Sequence, residues 1–166
     1  MEAELFFFYV MAQLPLTPVQ QANVDLSMNW KHTCRKLFDS AKSLQEFSDA
    51  VHLCGNAAHV LRTIPKEQFA AFAKWLYGHL EKIKNGTFVY DVRIQIPGVS
   101  TYPKSFIAKI CHIINPHAYP LIWDSHVGAQ LKKQNILWSQ AVATAKAKFQ
   151  NAPDDDIYSY DSILWA

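Results

Sequence analysis

The sequence predicts an all-α protein, a compact multi-helix globule, and three observations carry that prediction. Apolar residues recur at steps of three and four along most of the chain. Helix-start signals stand in front of several of these stripes. Only 5 glycines occur in 166 residues, which argues against an architecture of strands and tight turns. A chain of this length fits a single domain and buries enough surface to need no metal or disulfide staple. Its 50% hydrophobic and 18% charged residues exclude a wholly disordered chain.

The elements follow in order. The run Leu5-Phe6-Phe7-Phe8-Tyr9-Val10-Met11 is too short to cross a bilayer, which takes ~20 apolar residues. Glu2 and Glu4 precede it where a signal peptide carries basic residues, so it reads as a buried first helix. Thr17-Pro18 is an N-cap followed by proline at the first helical position. Ser43 and Glu46 make a capping-box pattern ahead of the stripe Leu44, Phe47, Val51, Cys54, Ala58 and Leu61. Pro65 opens a helix with Phe69, Phe72, Ala73, Leu76, Leu80 and Ile83 on one face, stopped by Asn85-Gly86. Phe88 to Ile96 reads as a short helix or a strand. Pro103 opens a helix burying Phe106, Ile107, Ile110, Ile113 and Ile114, closed by Asn115-Pro116. Asp124 caps a helix to about Lys133, and Leu137 to Phe149 and Ile157 to Trp165 are the last two. The sum is eight or nine helices in one domain, with two lobes meeting near Gly86.

The net charge of +2 conceals an uneven distribution. All 16 basic residues lie between Lys31 and Lys148, against seven acids there, a net of +9. From Arg93 to Lys148 seven basic residues face one acid, Asp124. A polyanion is the natural partner of such a segment. Cys34, Cys54 and Cys111 are odd in number and widely spaced, so they suggest neither a disulfide framework nor a zinc site. Reduced thiols in a cytoplasmic protein are expected.

Two stretches carry candidate chemistry. Ile96-Pro97-Gly98-Val99-Ser100-Thr101-Tyr102-Pro103 is expected to join two helices through a glycine turn. The exposed amides of the second helix N-terminus would then offer a phosphate site. Ile122-Trp123-Asp124-Ser125-His126-Val127 places a carboxylate at a helix start, where it is either a plain cap or a reactive group held in place.

In this order the two stretches resemble the helix-hairpin-helix DNA glycosylases, the superfamily of endonuclease III, MutY and the 8-oxoguanine glycosylases. The likeness is local to residues 92–131. Ile96-Pro97-Gly98-Val99-Ser100 is similar to the family hairpin, and Asp124 stands in its aspartate context. Smaller helical proteins share a Ser-Phe-x-x-Lys run, an Asn-Pro and an Asp-Ser, here Ser105 to Lys109, Asn115-Pro116 and Asp124-Ser125. Ser100 replaces the hairpin's second glycine, and the Asn115–Trp123 loop is longer than usual. The resemblance implies a DNA glycosylase acting on double-stranded DNA as a monomer, with no membrane involvement. Asp124 would stabilise the oxocarbenium-like sugar. Tyr102 stands where the lyase-competent branch has its Schiff-base lysine, which implies a monofunctional enzyme, with Lys104 or Lys109 as the alternative amines.

Pro97, Gly98, Val99, Ser100, Thr101, Lys104, Lys132 and Lys133 are the expected DNA contacts. Trp123, His126 and Trp30 are the expected base-pocket residues. No metal site is expected, and three cysteines cannot hold the family's iron–sulfur cluster; a monovalent cation at the hairpin is implied by the family alone. Damaged bases are the usual family substrates, and some small bacterial relatives are thought to excise hypermodified bases from phage DNA. The competing expectation is a non-catalytic helix-hairpin-helix DNA-binding protein in which Asp124 serves only as a cap.

Overall fold

A computed structural model describes residues 15–133 and 135–165, with the side chains of 126, 130 and 163–165 outside the description. The expected helix at Leu5–Met11 also lies outside it. Among the described residues there are eight α-helices and two short 3-10 turns, and no strand. The helices are α1 (Pro18–Ser40), α2 (Leu44–Ala57), α3 (Phe69–Gly78) and α4 (Leu80–Lys84). They continue with α5 (Lys104–Ile114), α6 (Ser125–Lys133), α7 (Trp138–Lys148) and α8 (Asp154–Trp165).

The start signals act as their chemistry requires. The Thr17 hydroxyl accepts from the Gln20 amide, and the Gln20 side chain accepts from the Thr17 amide, closing a full capping box. The Ser43 hydroxyl accepts from the Glu46 amide, but the Glu46 carboxylate reaches back to the amide of Lys42 rather than Ser43. Phe47, Val51 and Cys54 of the predicted α2 stripe are fully buried, whereas Leu44 at the exposed first turn is not.

Helix α5 is the central rod. Every residue from Phe106 to Ile114 is buried, including Lys109 and His112. Helix α2 crosses it closely because Gly55 has no side chain: a Cβ there would sit 2.3 Å from the Phe106 ring. Helix α1 packs on α2, α5 and α8.

Two expectations are corrected. The single helix from Pro65 to Ile83 is instead a 3-10 turn at Lys66–Gln68 followed by α3 and α4, interrupted at His79. Gly78 weakens the helix there, and the His79 ring packs between Trp75 and Phe88. Second, Phe88–Ile96 is neither helix nor strand. Phe88 and Tyr90 are buried and Val89 between them is exposed, a two-residue period with no partner strand among the described residues. Pro97 further disfavours helix at Ile96. The Pro97-Gly98 turn therefore joins an irregular segment to α5, not one helix to another. The buried residues form two clusters. One buried cluster runs from Cys34 to Ile122, and a second joins Leu121, Val127, Leu131, Ile136, Ala141, Ala145, Phe149, Ile157 and Tyr160. They meet at Leu121-Ile122, immediately before Asp124.

Candidate active site

Asp124 ends the short loop after α5 and begins α6. Its Oδ1 accepts the Val127 amide at 2.7 Å and its carbonyl accepts the Gly128 amide at 2.9 Å, so the residue is a complete N-cap. The residue is only 5% exposed, and it lines a cavity of about 640 Å3. Trp30 and Lys31 of α1, Ser105 and Lys109 of α5, and Asp161 of α8 line the same cavity. Its mouth carries Arg62 and Thr63, both exposed.

Four of these residues form a buried charge cluster. Lys31 Nζ donates to Asp161 Oδ2 at 2.8 Å, to the Tyr158 carbonyl at 3.1 Å and to the Ser162 hydroxyl at 3.0 Å. Asp161 Oδ1 accepts the Ile122 amide at 2.9 Å, which ties α8 to the strand of loop that carries Asp124. Burial alone would raise the Asp161 carboxyl, but Lys31, His112 and the Ile122 amide outweigh burial and hold it below the usual carboxylate range. Lys109 sits one helical turn beyond Ser105, to whose hydroxyl it donates at 3.1 Å. Burial lowers the Lys109 ammonium, and Asp124 and Asp161 oppose that shift without cancelling it.

Behind the cluster, His112 is fully buried and its Nδ1 donates to the Tyr119 carbonyl at 2.8 Å. Its Nε2 faces Asp161 Oδ2 at 3.9 Å. Burial pulls this imidazole down to about 4, so it is neutral at pH 7.

The turn at residues 96–103 stands apart from this cavity. Gly98 has φ +75°, a conformation that favours glycine, and packs on α3 beside Ala71. The Val99 amide donates to the Ile96 carbonyl, and both the amide and the hydroxyl of Ser100 donate to Gln68 Oε1. These two turn amides are thus committed inside the protein; the expected phosphate site at the helix N-terminus is the first turn of α5, from Lys104. Thr101 Oγ1 donates to the Thr63 carbonyl at 3.1 Å, the bridge from the turn to the cavity mouth. Arg93, Ser100, Thr101, Tyr102 and Lys104 line a separate surface depression with Asp91.

The other expected residues are distributed as follows. Tyr102 donates its hydroxyl to the Tyr90 carbonyl at 2.7 Å, is pushed up to about 12 by burial, and does not line the Asp124 cavity. Trp123 packs on the larger core with Lys104 Nζ 4.2 Å above its ring, outside the cavity lining. Trp30 does line the cavity. Lys132 and Lys133 are exposed at the end of α6. The side chain of His126 lies outside the described residues. Pro97 is exposed at the turn.

Sequence reasoning missed Lys31 and Asp161, which are 130 residues apart. A signal existed: Lys31 falls in the buried series Val24, Lys31, Cys34 and Phe38 of α1, a charge in an apolar stripe. Among the described residues no group of three or more histidines, cysteines and acids is placed to hold a metal ion, and no helix is long and apolar enough to cross a membrane. Comparison with protein-family models, curated proteins and solved structures finds no match.

Proposed function

We propose that the chain is a DNA glycosylase that flips a damaged or modified base out of duplex DNA and excises it by hydrolysing the N-glycosidic bond. The observation that carries this reading is Asp124, fixed by its own helix cap at the wall of a cavity of about 640 Å3. A cavity of that size accommodates drug-sized ligands, more than an unsubstituted base requires, which supports a bulky hypermodified base and a role in defence against phage as well as in repair.

As the glycosidic bond breaks, positive charge develops on the sugar. A carboxylate already oriented by the Val127 amide stabilises that charge without reorganising and accepts a proton from the attacking water. Trp30 offers an aromatic wall for the extruded base. Tyr102 stands where the lyase-competent branch has its Schiff-base lysine, and the expected product is an intact abasic site. DNA phosphates meet side chains, Arg93 and Lys104 beside the turn and Lys132 and Lys133 on α6, rather than the Val99 and Ser100 amides. The reading is tested by treating modified-phage DNA and damaged duplexes with the protein and then with alkali. Strand breaks are expected with the native chain and not with Asp124→Asn; equal breakage by both overturns the assignment of Asp124.

The complete capping contact of Asp124 favours one second reading, a non-catalytic DNA-binding protein, because a purely structural aspartate makes the same bond. Binding to duplexes with no base released from any of them distinguishes it.

A further inference from the structure

We infer that Lys109 is the general acid of the reaction, the group that protonates the departing base while Asp124 faces the sugar. The inference rests on the glycosylase reading and adds a second catalytic residue to it. Breaking a neutral N-glycoside separates charge in two directions: the sugar becomes cationic and the base anionic. A carboxylate answers only the first. The cavity contains an ammonium as well as the carboxylate, on a different helix.

Lys109 is a costly residue for its place. It lies in α5 within nine consecutive buried residues, where a leucine would pack without desolvating a charge. Ser105, one turn earlier, accepts from its Nζ, and both residues line the cavity. The charged and titratable groups facing it are Asp124, Asp161, Cys54 and Lys31. Asp161 is engaged by Lys31 at 2.8 Å. Burial makes the Lys109 ammonium a stronger proton donor than an exposed lysine.

The step balances. The bond from C1′ to the base nitrogen breaks and its electron pair moves to the base, which takes a proton from Lys109 Nζ. Water adds to C1′ and gives a proton to Asp124. That proton returns through solvent to Nζ, so the sum is one glycoside and one water giving a free base and an abasic sugar.

The test compares leaving groups. Duplexes carrying a neutral modified base released by the native chain are set beside duplexes carrying 7-methylguanine, which departs from a cationic nucleoside and needs no added proton. Lys109→Met is expected to slow release of the neutral base by about 10²–10⁴-fold and of 7-methylguanine by no more than about tenfold. Lys109→Arg, which keeps the charge but holds its proton far more tightly, is expected to resemble Lys109→Met on the neutral base. The alkaline fall in the native rate, which reports loss of the Lys109 proton, disappears in both variants. Circular dichroism of each variant checks the fold. Equal losses on both bases, or no loss with Lys109→Met while Asp124→Asn is inactive, overturn this inference and leave the glycosylase reading standing. A borohydride-trapped adduct with the native chain that Lys109→Met abolishes also overturns it, because Lys109 is then the nucleophile. Absence of base release from every duplex overturns both.

Discussion

Asp124 and the turn at residues 96–103 lie within the same forty residues, 92–131, yet the cavity beside Asp124 and the turn are built on opposite principles. The cavity gathers charges from α1, α5, α6 and α8 and keeps them out of water beside open space. The turn is exposed, but its Val99 and Ser100 amides are already spent on Ile96 and Gln68. Buried charge facing a void is expensive unless the void is used; an exposed turn with internally satisfied amides is stable without a ligand. The difference moves the weight of the functional account from the hairpin to the cavity.

Variants can break or sharpen this contrast. The largest effect is expected at the cluster: Lys31→Met leaves Asp161 buried and unpaired, and thermal or denaturant unfolding is expected to show a loss of about 3–5 kcal/mol. A loss under about 1 kcal/mol would mean that water reaches Asp161 and that the cluster is not a dry framework. Next comes acid sensitivity. His112 is neutral in the folded protein with its value pulled from 6.5 down to about 4, so unfolded chains take up its proton first. Its contribution is present above pH 6.5 and is lost as the pH falls towards 4, on the order of 3 kcal/mol. Denaturant titrations across that window are expected to show the slope in the native chain and a flatter one in His112→Asn.

The turn responds less. Gly98→Ala places a Cβ 3.1 Å from that of Ala71 at a positive φ, with an expected cost of about 1 kcal/mol in chemical denaturation. Smallest is the effect of single surface charges. Lys132→Ala or Lys104→Ala is expected to weaken binding to any duplex alike and to lower the salt-dependence slope by about 0.9. A change confined to one sequence would assign that lysine to base reading instead.

Helix positions were legible because caps and stripes are local: Thr17, Ser43, Gly86 and Asp124 act within four residues of themselves. The candidate site was legible only in part. Asp124 and Trp30 were reachable from residue type and position, and Lys109 was named only as an alternative amine, not as a buried charge. Lys31 with Asp161 was not, since nothing local couples residues brought together only by the packing of α1 on α8. The segment Phe88–Ile96 misled for the opposite reason. Its buried Phe88 and Tyr90 obey a strand period, but no strand is present among the described residues to pair with it, so the segment is irregular there.

The central claim is that Asp124 breaks glycosidic bonds, and mass spectrometry of the bases released from a broad panel of damaged and hypermodified duplex DNA tests it most directly. Asn at position 124 keeps a helix cap, so the comparison isolates the charge. The native chain is expected to release a defined base, and Asp124→Asn to release it about 10²–10³-fold more slowly with unchanged DNA affinity. Release at the same rate by both proteins, or no base from any duplex, contradicts the claim.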